Sequence, residues 1–188
     1  MNRAGPESRG PEPTAAQWRV ITAALNLFAQ HGVGGTSLGM IAAELGVTKA
    51  AVYHQFKTKD EIIFAAVESE LRRLEVVVEA AEAESTVEQA RETMVTGMVD
   101  MTIGVGRSVS TVLSDPAVTG SFSRHPGYRD LLRRIRRVLM DEPATREARI
   151  RTATLIAAIN GTSTHPLVAD FSEETLRREV LYVAHRLL

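Results

Sequence analysis

Apolar residues recur along most of the chain at the three-and-four spacing of amphipathic helices, and no stretch alternates with period two between turn signals. Val20, Ala24, Leu27 and Phe28 make one such stripe and predict a helix over residues 15–31, with Gly32 suited to a left-handed cap. Gly34 and Gly35 prolong the loop. Thr36 or Ser37 can then cap a second helix over 38–44, whose inward positions are Leu38, Ile41, Ala42 and Leu45. Gly46 closes that helix, and Thr48 caps a short third one over 49–55 with Val52 and Phe56 inward. Thr58 and Glu61 have the spacing of a capping box, which opens a long fourth helix from Lys59 to about Glu84.

The later helices are predicted in the same way. Val87, Met94, Met98 and Met101 share a broad stripe over 86–104. A short helix over 107–113 is interrupted at Asp115-Pro116, an N-cap followed by a first-turn proline. Leu131, Leu132, Ile135, Val138 and Leu139 point inward over 128–140, with Arg133, Arg134, Arg136 and Arg137 between them as a solvated face or, alternatively, a face for an anionic ligand such as an acyl-CoA. Helices over 146–161 and 172–188 complete a set of about nine. In the last, Leu176, Val180, Val183 and Leu187 form one stripe, and Leu181, Ala184 and Leu188 a second face beside it. Residues 1–14, rich in Pro, Gly and charge, read as a disordered tail. The expected organisation is that tail, a three-helix domain over 15–60 and an all-α domain over 61–188.

Composition narrows the classes of function. The chain has 188 residues, enough to bury roughly 70% of its unfolded surface without a staple. It contains no cysteine, which excludes disulfides, thiolate metal sites, a Cys nucleophile and thiol redox sensing. No apolar run reaches the roughly 18 residues of a membrane span, and residues 1–13 lack the apolar stretch of a signal peptide, so a cytoplasmic location with no membrane partner is expected. The net charge of −1 is unevenly spread: +2 over residues 1–60, −7 over 61–100 and +4 over 101–188. All three lysines, Lys49, Lys57 and Lys59, fall within eleven residues, while the other nineteen basic residues are arginines. That cluster marks a local anion-binding surface on an otherwise balanced chain.

The cluster coincides with the most specific motif. Two short helices joined by Leu45-Gly46-Val47 have the form of a helix-turn-helix, where glycine permits the sharp turn at a helix end. The third helix then acts as the recognition element. Its N-terminus favours an anion through free amides and the helix dipole. Ala51 stands where a capping box would place Glu or Gln, so no carboxylate faces phosphate there. Ala50 and Ala51 allow close backbone approach and can touch a thymine methyl. Lys49 can donate to a guanine edge or a phosphate, and Tyr53 and His54 are flat donors able to reach base or phosphate. Thr36, Ser37, Thr48, Lys57 and Lys59 complete the expected contacts, the last two to backbone phosphate.

At this point residues 24–62 resemble the TetR family of bacterial transcriptional regulators. The resemblance rests on Leu27-Phe28-Ala29, Gly32, Thr36-Ser37, Ile41-Ala42, Leu45-Gly46-Val47, Thr48-Lys49, Val52-Tyr53-His54, Phe56, Lys59 and Glu61, about a quarter of the chain. Gly39-Met40 and Val33 depart from the family pattern, the former where polar or charged residues are common. The resemblance implies a homodimer whose recognition helices enter successive major grooves of a double-stranded, near-palindromic operator. It also implies a C-terminal domain that binds a small-molecule effector and dimerises through its last two long helices. Ala153, Ala157, Leu176, Val180, Val183 and Leu187 are the expected dimer residues. Met94, Met98, Met101, Leu113, Phe122, Ile135 and Ile156 are the expected ligand-lining residues, with residues 102–128 as a pocket wall. The reading is a ligand-responsive regulator, a repressor by family habit; a helical adaptor with a vestigial DNA-binding head is the alternative. An enzyme is not expected: no G-x-S-x-G, P-loop or dinucleotide fingerprint occurs, and the five histidines form no i, i+4 pair. No cofactor and no metal are expected.

Overall fold

The computed structural model describes residues 12–103, 126–140 and 143–188; the side chain of Pro126 is outside this set. Among them are eight α-helices and no strand. They are α1 (Ala15–Gly35), α2 (Leu38–Leu45), α3 (Lys49–Gln55), α4 (Lys59–Glu82), α5 (Val87–Thr102), α6 (Pro126–Leu139), α7 (Arg146–Thr162) and α8 (Glu173–His185), with a 3-10 turn at Pro166–Val168. The helix expected over 107–113, the Asp115-Pro116 break, Leu113 and Phe122 lie outside the described residues, as does most of the expected pocket wall.

Polar side chains written into the sequence set most of these boundaries. Thr14 and Gln17 form a reciprocal capping box, Gln17 Oε1 accepting from the Thr14 amide at 2.9 Å, so Thr14 belongs to α1 and not to the tail. At the other end, helical backbone is interrupted at Gly32, whose φ of 72° and ψ of 161° lie outside the left-handed helical region expected for it. A short hydrogen-bonded continuation carries α1 on to Gly35. Ser37, Thr48, Thr86, Thr145 and Ser172 each accept from the amide three residues on, capping α2, α3, α5, α7 and α8. Thr58 does the same for Glu61, but the Glu61 carboxylate reaches back to the Lys57 amide at 2.7 Å, one residue beyond the cap.

The chain divides into two compact units, Met1–Glu70 and Leu71–Leu188, so the division falls inside α4 instead of at its start. In the first unit α1, α2 and α3 pack on one another. Ile21, Ile41, Val52 and Ile62 are fully buried, joined by Phe28, Ala42 and Phe56. Phe28, Ile41, Ala42, Val52 and Phe56 are inward positions that periodicity assigned; Leu38 and Leu45, assigned inward as well, are half-buried, and Ile21 and Ile62 join the core without having been singled out.

In the second unit α5 packs against α6, α7 and α8. Met94, Val95, Val99, Leu131, Ile135, Leu155, Ile159 and Leu176 form its core. Gly97 sets the approach of α5 to α4: a Cβ there would lie 2.5 Å from Val77 Cγ1 and 2.8 Å from Cγ2, closer than atoms pack. Polar pins tie the surface. Arg134 is held by Glu82 through three contacts of 2.6 to 3.2 Å and lies 3.7 Å from Glu75, which corrects its reading as part of a solvated face. That guanidinium holds the Glu82 carboxyl below its ordinary range, against the opposing effect of burial. Arg177 pairs with Asp100 at 2.6 Å, and His185 with Glu92, both joining α8 to α5.

Candidate nucleic-acid interface

Gly46 adopts the left-handed conformation, φ 65° and ψ 31°, where a side chain would be strained. Its amide and that of Val47 bond back to Ala43 and Ala42, closing α2 in the double-bonded turn that glycine permits. Directly after it, Thr48 Oγ1 accepts from the Ala51 amide at 3.2 Å and starts α3. Ala42 is only 3% exposed, on a helix that packs against α3.

One face of α3 is anchored by Val52 at 1% exposure, with Phe56 beyond its end. The other face is open: Thr48, Lys49, Ala50, Ala51, Tyr53 and His54 are exposed, as are Ser37 and Lys57 on either side of the helix. No acidic side chain occurs between Glu44 and Asp60. Tyr53 is half exposed, and the Lys57 ammonium lies 4.5 Å above its ring. This cation–π contact holds a charged donor and a flat ring side by side on the surface. Packing of Tyr53 or His54 into the core is thereby excluded.

Two of the expected contact residues are placed otherwise. Thr36 is 2% exposed, and its hydroxyl donates to the carbonyls of Gly32 at 2.9 Å and Leu27 at 3.2 Å. It secures the end of α1 from inside. Lys59 is half-buried and its ammonium donates to the carbonyls of Val33 at 2.6 Å and Thr36 at 2.7 Å. Those carbonyls follow the break at Gly32, where regular helical partners are lost. Lys59 therefore ties the α1–α2 connection to the start of α4. Sequence spacing could not tell which way these two side chains point.

The second-unit expectations divide similarly. Met94, Met98 and Ile135 are buried, and Met101 and Ile156 are half-buried. Two cavities in this unit are lined by other residues. One is an apolar hollow of about 130 Å³ bordered by Ile159, Phe171, Val180 and Val183. The other is a cleft of about 410 Å³ between the ends of α4, α5 and α6. Among the expected dimer residues, Ala153, Ala157 and Val183 are exposed and Leu187 half-buried, but Leu176 and Val180 face the interior of the protomer at 1% and 9% exposure. The inner stripe of α8 is Leu176, Val180 and Ala184, so Val183 and Tyr182 turn outward. Among the described residues no three His, Asp or Glu side chains cluster in a way that could hold a metal ion, and no helix is long and apolar enough to cross a membrane.

With this geometry in place, residues 20–66 match the sequence profile of the bacterial regulatory proteins, tetR family. The regulator AcrR of Shigella flexneri is 39% identical over 72 residues, covering 37% of this chain and 34% of AcrR. The regulator SrpR of Pseudomonas putida is 38% identical over 65 residues, covering 35% of this chain and 30% of SrpR. The chain thus matches about a third of the length of these curated relatives. The likeness in fold extends further. A TetR-family regulator from Bordetella parapertussis superposes with a TM-score of 0.73 over 92% of this chain and 95% of that one, at 18% identity. PfmR of Thermus thermophilus does so with a TM-score of 0.71 over 94% and 97%, at 19% identity. Residues 20–66 thus carry the N-terminal domain of the TetR family, and the fold over the described residues is like that of solved TetR-family structures.

Proposed function

We propose that the chain is a ligand-responsive transcriptional regulator, a repressor that binds a near-palindromic operator as a homodimer and is released by a small-molecule effector. The observation that carries the DNA-binding part is the open face of α3. It offers Lys49, Tyr53, His54 and Lys57 beside two alanines, with no carboxylate among them, on a helix locked behind by Val52 and Phe56. Lys49 and Lys57 supply the phosphate attraction common to all sequences, while Ala50, Ala51, Tyr53 and His54 are in position to read base edges. Dimer symmetry then sets the operator: two inverted half-sites about 34–36 Å apart or slightly more.

Support for dimerisation comes from α7 and α8, where Ala153, Ala157, Tyr182 and Val183 expose small and apolar groups on a single unit. Support for an effector is the likeness in fold to TetR-family regulators together with the methionine-bearing core around Met94 and Met98, since methionine adapts to ligands of varied shape. Effector and operator affinities are then coupled reciprocally, by about 1–3 kcal/mol.

The test is binding of duplex fragments from the gene's own upstream region. Specific, salt-dependent binding that is relieved by an effector carries the proposal. Absence of any binding at low salt returns the chain to the adaptor reading.

A further inference from the structure

We propose that Lys59 and Thr36 are positioning residues for DNA binding: from inside the domain they lock the α1–α2 connection to the first turn of α4, and so set where α2 and α3 stand, without touching DNA themselves. This role rests on the reading of α3 as the DNA-binding helix.

The helical backbone of α1 breaks at Gly32, which takes carbonyls around the break out of the regular ladder. Four polar contacts gather there. The buried Thr36 hydroxyl donates to the carbonyls of Gly32 at 2.9 Å and Leu27 at 3.2 Å. The Lys59 ammonium donates to the carbonyls of Val33 at 2.6 Å and Thr36 at 2.7 Å. Thr36 is thus held on two sides, by its hydroxyl and by its carbonyl. The next residue is Ser37, whose side chain caps α2 by accepting from the Met40 amide at 3.2 Å.

A second tie leaves the same turn of α4. Glu61 Oε2 accepts from the Lys57 amide at 2.7 Å, on the residue whose ammonium lies over the Tyr53 ring. The connections on both sides of the α2–α3 pair are therefore fastened to residues 59–61. α2 packs on both α1 and α3, so slack at Thr36 passes on to α3. The two bonds of Lys59 are charge-assisted and stronger than neutral ones, and they direct its ammonium inward. Lys57, by contrast, is exposed and open to phosphate.

The experiment compares the native chain with Lys59→Met, Thr36→Val and Lys57→Met, at a temperature where all are folded. Anisotropy titration uses a duplex from the gene's own upstream region across a salt series, and amide hydrogen exchange is followed without DNA. The slope of log affinity against log salt counts phosphate contacts. Lys59→Met should weaken binding by about tenfold, and Thr36→Val by about fivefold, with the slope changed by less than about half an ion in each. Lys57→Met should lower the slope by about one ion. Exchange should quicken over residues 33–45 in Lys59→Met and Thr36→Val, and stay as in the native chain over residues 20–28. A slope reduced by about one ion in Lys59→Met would make it a phosphate contact and overturn the proposal. Native affinity in both Lys59→Met and Thr36→Val would overturn it as well, whatever their stability. A native chain that binds no duplex at low salt overturns the DNA-binding reading; the clamp itself is overturned only if exchange over 33–45 is unaltered in both variants.

Discussion

At the scale of single residues, the chemistry of the DNA-facing surface depends on direction as much as on identity. Tyr53 is half exposed beside Lys57, so Tyr53→Ala should weaken operator binding more than binding to random duplex, by about 1–3 kcal/mol on the operator. Equal losses on both in an anisotropy titration would remove Tyr53 from sequence readout. Lys59 is the opposite case. Its two charge-assisted bonds to Val33 and Thr36 predict that Lys59→Met lowers unfolding stability by about 1–2 kcal/mol, measured by urea titration. An unchanged midpoint would return Lys59 to the role of a simple phosphate contact. The types and spacing of Thr36, Lys49, Tyr53 and Lys59 were legible in the sequence. The inward turn of Thr36 and Lys59 was not, because it depends on the backbone break at Gly32, which leaves carbonyls for them to satisfy.

At the scale of elements, the longer described helices followed from buried stripes that repeat at 3.6 residues, and the short α2 and α3 from their caps at Ser37 and Thr48. The errors have local causes. Thr14 lies at the end of a Pro-rich stretch, and its partner Gln17 was the available signal for including it in α1. The register of α8 was misread because Leu, Val and Ala occupy two adjoining faces, and only packing against α5 and α7 decides that Ala184, not Val183, continues the inner stripe. Gly97 gave no turn signal because its role is close approach. Gly97→Ala gains helix propensity but drives a methyl into Val77, which is stiff at χ1, so a net loss of about 1–3 kcal/mol is expected in thermal or urea unfolding. A neutral or stabilised variant would show that α4 and α5 can separate without strain. The Glu82–Arg134 pin adds a pH dependence. Because Glu82 is shifted down in the folded chain, its contribution is complete above its unfolded pKa and is lost as pH falls through the folded value. Arg134→Met should therefore reduce stability at neutral pH more than at acidic pH, by less than about 1 kcal/mol for so exposed a pair.

At the scale of the whole molecule, net charge is a poor guide, since −1 overall coexists with a stretch from residue 45 to 59 that carries all three lysines and no acidic side chain. Val183 and Tyr182 are the exposed apolar groups of α8, so Val183→Glu should convert a dimer to a monomer in sedimentation experiments while the helical content persists. A dimer unaffected by this change would move the interface away from that face. The central claim, that α3 reads DNA, is tested most directly by one measurement: anisotropy titration of a duplex from the gene's own upstream region, across a salt series, with the native chain and with Lys49→Ala/Tyr53→Ala. The account predicts binding that weakens steeply with salt and falls by about tenfold or more in the variant, without change in melting temperature or oligomeric state. Binding absent at low salt, or identical in the two proteins, would contradict it.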